Sequence, residues 1–140
     1  MMPSPRPRAK IGAVALAGAL ALSACAANSS DADAIQLSPT AAEGRTISRT
    51  SGCAACHGSN GDGGVGPTFV GLYGSTVTLD DGTTLVADRD YLIEAIKEPG
   101  AKIVAGYRLP MPTNRLTDDE IDKVLTYIQE LSGAGPGTTP

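Results

Sequence analysis

The clearest apolar period in the chain lies towards its C-terminal end. Ile121, Val124, Leu125, Ile128 and Leu131 recur at steps of 3, 1, 3 and 3, which puts them on one face of a helix. Thr117 precedes the run as an N-cap, Glu120 stands three residues on at the capping-box position, and Gly133 stops the helix. A shorter stripe follows Asp88. Leu92, Ala95 and Ile96, joined by Tyr91, predict a helix from Arg89 to about Glu98, capped by Asp88 and ended by Pro99. Residues 76–86 alternate instead, on both sides of Asp81-Gly82, which is the pattern of a β-hairpin. Upstream, Thr40 and Glu43 form a capping box for a helix from about Ala41 to Ser51. Its stripe of Ala41, Gly44 and Ile47 is too thin to hold it without tertiary packing. Thr68 to Gly74 predict one short helical turn, and residues 99–116 predict irregular chain.

The remaining apolar run, Ile11 to Leu22, is 12 residues long. A spanning helix needs about 20. With Arg6, Arg8 and Lys10 ahead of it, residues 1–24 read as a secretory leader. Leu22-Ser23-Ala24-Cys25 then resembles a bacterial lipobox, in which the cysteine carries lipid and becomes the new N-terminus. The alternatives at this point are ordinary cleavage after Ala24 and an uncleaved anchor. Every one of these readings of the leader gives an extra-cytoplasmic address. Residues 25–39 are rich in Ala, Asn, Ser and Asp without apolar period and read as a lipidated cysteine followed by a flexible tether. The folded domain is expected over 40–132, with a disordered tail at 133–140.

Charge narrows the partners. The whole chain carries 11 basic and 15 acidic residues. Without the three basic residues of the leader, 8 basic residues face 15 acidic ones, about −7. Nucleic acid, which needs a basic footprint, is not an expected partner. Aromatics are scarce, four Tyr, one Phe and no Trp, so a protein core of this size is marginal without added apolar mass.

Cys53-Ala54-Ala55-Cys56-His57 supplies a source of that mass. It reads C-x-x-C-H, the attachment site of a c-type haem, with Cys53 and Cys56 as the covalent links and His57 as an axial ligand. No βαβ pattern surrounds it, which argues against a thioredoxin-type redox pair, and two Cys with one His do not complete a zinc site. With Cys25 lipidated, none of the three cysteines remains for a disulfide. His57 is the single histidine, so this chain alone cannot supply two histidine ligands. Met1 and Met2 leave with the leader, and Met111, set between Pro110 and Pro112, becomes the candidate sixth ligand. A gap-filling methionine is the competing reading. Gly61, Gly63 and Gly66 match G-x-G-x-x-G, but no strand precedes them and Pro67 interrupts, so a dinucleotide site is rejected in favour of a tight loop. Tyr107, Arg108 and Lys102 are open between binding haem propionates and lying in solvent.

Gly52-Cys-x-x-Cys-His57, Gly66-Pro67, Met111-Pro112 and the last helix with Tyr127 resemble a class I cytochrome c over about residues 41–132. More closely, Asp88-x-x-Tyr91-Leu92, Pro99-x-Ala101-Lys102-Ile103-Val104-Ala105-Gly106-Tyr107 and Met111-Pro112-x-x-x-Leu116-Thr117 resemble the cytochrome domain fused to subunit II of haem–copper oxidases, here on a lipoprotein leader instead of a copper domain. The resemblance implies an all-α fold: three main helices around one covalent haem, with a short β-hairpin excursion. It implies that the Pro67 carbonyl orients His57, and that Gly44 of the first helix packs opposite an aromatic such as Tyr127. Ser48 stands where the first helix of the family often carries an aromatic. The implied function is one-electron transfer in a respiratory chain rather than enzyme catalysis. Partners would be a terminal oxidase or a quinol–cytochrome c reductase, met on the periplasmic side of the bacterial cell membrane. The competing readings are a fixed cytochrome subunit of a dehydrogenase or oxidase complex, and a haem peroxidase or gas sensor; the sequence marks no distal histidine for the last.

Overall fold

The computed structural model describes residues 36–133. The leader, the lipobox Cys25, most of the tether and the tail from 134 lie outside the described residues. Four helices and one two-stranded antiparallel sheet follow in order: α1 Pro39–Thr50, α2 Ala54–His57, β1 Thr76–Thr78, β2 Thr84–Val86, α3 Arg89–Lys97 and α4 Asp118–Leu131. Three helices are of main length and α2 is a single turn, so the domain is mostly helical, with the sheet as its minor part. Among the described residues no helix is long and apolar enough to cross a membrane.

α1 starts earlier than Thr40 predicts. Ser38 is the N-cap, its hydroxyl accepting from the Ala41 N–H at 3.2 Å, and Pro39 takes the first helical position. Proline fits there because its missing N–H has no partner to lose. Glu43 instead pairs with Lys123 of α4 at 3.1 Å. Leu37 packs on the core and the Ser38 N–H donates to Glu130 at 2.8 Å, so residues 37–39, assigned by composition to the tether, belong to the fold.

α1 and α4 meet through small residues. Ala41, Gly44 and Ser48 are the buried positions of α1, whereas Ile47, expected on the inner stripe, is half-buried. A Cβ on Gly44 would lie 2.5 Å from the Lys123 carbonyl carbon and 3.0 Å from the Val124 nitrogen. The bare glycine lets the two backbones touch, one turn ahead of Tyr127. Close approach of this kind replaces the large side chains that α1 lacks.

α4 matches its predicted cap. The Thr117 hydroxyl accepts from the Glu120 N–H and the Glu120 carboxylate accepts from the Thr117 N–H, a complete capping box. All five residues of the predicted stripe are buried, and so are Tyr127 and Gln129. The helix is buried over more than one face because α1 covers one side and α3 another. Burial of one such leucine or isoleucine side chain contributes about 1.5–3 kcal/mol.

α3 is capped by Asp88, whose carboxylate accepts from the Tyr91 N–H at 2.8 Å, and Arg89 pairs with Asp122 of α4 at 2.7 Å. The hairpin pairs Thr76 with Val86 and Thr78 with Thr84. Its loop has three residues rather than a tight two-residue turn, with Gly82 at φ 85 closing it. Where Thr68 to Gly74 predict one short helical turn, residues 69–75 form two successive turns, the Leu72 N–H donating to the Phe69 carbonyl at 3.2 Å and the Ser75 N–H to the Leu72 carbonyl at 3.0 Å. The Gly71 and Gly74 N–H groups are drawn elsewhere, to Leu131 and to Ala87.

Candidate functional site

α1 ends at Thr50, and Gly52, at φ 86, turns the chain into the motif. The next turn is helical: the Cys56 and His57 N–H groups both donate to the Cys53 carbonyl, at 3.1 and 3.0 Å. Residues three and four apart share a helix face, so one turn sets both thiols and the imidazole together. Cys53 and Cys56 are free and half-buried. Burial pushes the Cys53 thiol above its usual range, partly offset by its own backbone and the Ser48 hydroxyl.

The glycine-rich loop after the motif is a cap for this short helix. The Gly63 N–H donates to the His57 carbonyl at 2.7 Å and the Gly66 N–H to the Cys56 carbonyl at 2.9 Å. Arg49 of α1 ties the loop down from outside, donating to the Ser59 carbonyl at 2.8 Å and to Asn60 at 2.9 Å. The loop is therefore an enclosure of His57 and not a phosphate cradle.

His57 itself is buried, 8 % exposed. Its Nδ1 lies 2.8 Å from the Pro67 carbonyl oxygen. A carbonyl can only accept, so Nδ1 carries the proton and the neutral ring keeps its lone pair on Nε2. Gly66 lies against the ring, where a Cβ would come within 3.0 Å of Cε1 and 3.1 Å of Nδ1. The Phe69 ring stacks on the imidazole at 4.6 Å and 20°, and meets Tyr127 edge-on at 6.3 Å and 89°. Ring position is thus set by one hydrogen bond, one glycine and one aromatic stack. Phe69 escaped the sequence reading. It is the chain's single phenylalanine, two residues beyond Pro67, but no spacing rule marks that position.

His57, Cys53, Cys56 and Met111 line one cavity. Its other walls are mainly apolar: Leu72 and Val77 from the turns and β1, Leu92 and Ile96 from α3, Val124 and Ile128 from α4. Met111 is half-buried on the irregular segment after α3. Asn114, also unmarked in the sequence, anchors that segment: its Nδ2 donates to the Ile96 carbonyl at 2.7 Å and its Oδ1 accepts from the Leu116 N–H at 3.1 Å. Of the three propionate candidates, Lys102 and Tyr107 line the cavity, and exposed Arg108 does not. Lys102 is already ion-paired with Glu94. Burial raises the pKa of the neighbouring Tyr91 hydroxyl, and the Lys102 charge counters it.

Two thiols that can bond a porphyrin edge, an imidazole with a free ring nitrogen that can bind iron, and a thioether line one mainly apolar cavity, and the chemistry of that lining fits a c-type haem. A family model, that of cytochrome c, matches residues 41–132, and the chain belongs to that family. A search of curated proteins found no match. The family carries covalent haem c, here with Cys53 and Cys56 in the attachment motif, and serves as a haem-based electron carrier.

Proposed function

We propose that this chain is a mono-haem, one-electron carrier of a respiratory chain, held by lipid on Cys25 at the extra-cytoplasmic face of a bacterial cell membrane. It passes electrons to or from a terminal oxidase, or takes them from a quinol–cytochrome c reductase. The observation that carries this reading is the shared cavity of His57 and Met111. Among the described residues Met111 is the single methionine, and it lines the wall that the attachment motif also lines.

In this reading His57 and Met111 would hold the haem iron, which would supply the one-electron couple. The Pro67 carbonyl holds the proton on Nδ1, which presents Nε2 to the metal and fixes the ring against rotation. Phe69 and Gly66 hold the ring plane from its faces. Pro110 and Pro112 stiffen the chain on both sides of Met111. Ligands held this firmly are the same in both oxidation states, so little rearrangement opposes transfer. A thioether favours the reduced form and raises the potential. Val65 and Leu109, 53 % and 64 % exposed, edge the cavity and offer an apolar surface for a redox partner's approach.

The test is Met111→Ala in the haem-loaded protein, read by absorption and redox titration. The expected result is loss of the methionine-to-iron band and a lower potential. An unchanged spectrum and potential removes Met111 from the role. Turnover of the native protein with isolated oxidase or reductase then identifies its partner.

A further inference from the structure

The hairpin is the one motif that this function leaves unused. β1 pairs with β2 along one edge, and its other edge is not free. Leu79, just past β1, forms an antiparallel bridge with Val104. The Asp80 N–H donates to the Ile103 carbonyl at 2.9 Å, and the Ala105 N–H donates to the Thr78 carbonyl at 2.9 Å. Leu79 is 6 % exposed, so the contact is packed as well as hydrogen-bonded.

Both ends of this contact lead to the site. The chain entering β1 comes directly from Pro67 and Phe69, which hold His57. The chain leaving Ala105 reaches Met111 six residues later. The hairpin base is itself fixed to the start of α3, where the Gly74 N–H donates to Ala87 at 3.0 Å and the Ala87 N–H to Ser75 at 2.8 Å. Beyond Met111, Asn114 makes the second attachment, to the end of α3. Met111 therefore lies between two anchors, the hairpin edge at 103–105 and Asn114.

We propose that the outer edge of the hairpin is a positioning clamp for Met111, one that holds the methionine loop closed over the cavity by the Asp80–Ile103 and Ala105–Thr78 bonds. The proposal rests on Met111 being the sixth ligand. A loop that swings away must break these backbone bonds, so each one shifts the closed–open balance towards closed.

The bonds can be deleted singly without disturbing the turns that carry them. The Tyr107 N–H donates to the Val104 carbonyl at 3.4 Å, Gly106 has φ 89 and no non-glycine residue among those described has positive φ. That is a type II turn with Ala105 at its second position, where proline is favoured. The Gly82 N–H donates to the Leu79 carbonyl at 3.0 Å, which puts Asp80 at the second position of its own turn, again a proline site. Val104 and Leu79, the preceding residues, are bridged to each other in extended chain, as a residue before proline prefers.

Carbon monoxide must displace Met111 to bind the reduced haem-loaded protein, so its apparent affinity reads the open fraction. Ala105→Pro and Asp80→Pro should each raise that affinity about fivefold, and the double variant about 25-fold, the equivalents of one and two backbone hydrogen bonds. Thr83→Ala, which removes the 2.7 Å bond to Asp81 at the exposed hairpin tip, should leave it unchanged. A merely structural hairpin would lower the urea midpoint in the proline variants and leave carbon monoxide affinity where it was; that result overturns the clamp. If Met111→Ala also fails to raise the affinity, the ligand reading falls and the clamp with it. If Met111→Ala raises it and the proline variants do not, only the clamp falls. Should the proline variants not fold, amide hydrogen exchange on the native sequence decides. Carbon monoxide binding should strip protection from the Asp80 and Ala105 N–H groups, and unchanged protection refutes the clamp.

Discussion

Gly44→Ala tests the contact on which the whole domain closes. In an isolated helix the change is favourable by about 1 kcal/mol, because alanine is the better helix former. In this protein the new methyl group meets backbone, not a side chain that could turn aside. It would stand 2.5 Å from the Lys123 carbonyl carbon, where ordinary contact begins at 3.4 Å. α1 and α4 would have to separate by roughly 0.9 Å on that atom alone. Such separation loosens Ala41, Ser48, Leu125 and Tyr127 together, all of them buried. Forced overpacking costs about 1–3 kcal/mol and more where the neighbour cannot move. Set against the helix gain, the net loss should be about 2 kcal/mol. Urea unfolding of the haem-loaded protein, followed by circular dichroism, should show a midpoint lower by about 1 M with an unchanged slope. Thr46→Ala, on the exposed side of the same helix, is the control and should move little. A Gly44→Ala protein as stable as the native one, or more so, refutes the close backbone contact.

Other outcomes follow from the same structure. Phe69→Ala should cost about 3–5 kcal/mol for a buried aromatic, and Phe69→Leu, which keeps most of the volume but loses the stack on His57, a smaller amount that includes about 0.5–1.5 kcal/mol for the ring pairs; urea unfolding distinguishes them. Thr117→Ala removes the N-cap of α4 and should lower stability by about 1 kcal/mol in the same assay. Hydrogen bonds from the Thr117 N–H and hydroxyl hold the Glu120 carboxyl below its usual range. Its contribution is therefore present above the ordinary glutamate pKa and lost as pH falls through the lower folded value. The stability gap between the native protein and Glu120→Gln should close over that acidic window, and a gap independent of pH contradicts the capping bond. The proposed lipid anchor, which rests on the lipobox sequence alone, is tested by Cys25→Ser: if that anchor holds the protein, the variant should appear in the soluble fraction of expressing cells, and unchanged partitioning refutes it.

Much of the site was legible in the chain because haem attachment is a local chemistry. Two thiols and an imidazole must sit within one turn, and a five-residue motif encodes one turn. α4 was legible for a similar reason: its apolar period and capping box are both short-range features. What the chain did not disclose depended on contacts between distant residues. Ser38 displaced Thr40 as the cap because Leu37 could pack on the core and Glu130 could meet the Ser38 N–H. The stripe of α1 looked too weak for a helix, yet its weakness is what allows α4 to lie against it.

By itself, then, the sequence determined the attachment motif, the candidate ligands and the helix that forms the back of the core. The tertiary structure alone decided how those ligands are held. Phe69 stacks on His57, Asn114 reaches Ile96, and the hairpin edge bonds the chain ahead of Met111. None of these pairings leaves a periodic trace, because each joins segments whose separation is set by loop lengths and packing rather than by the geometry of one helix turn or one strand.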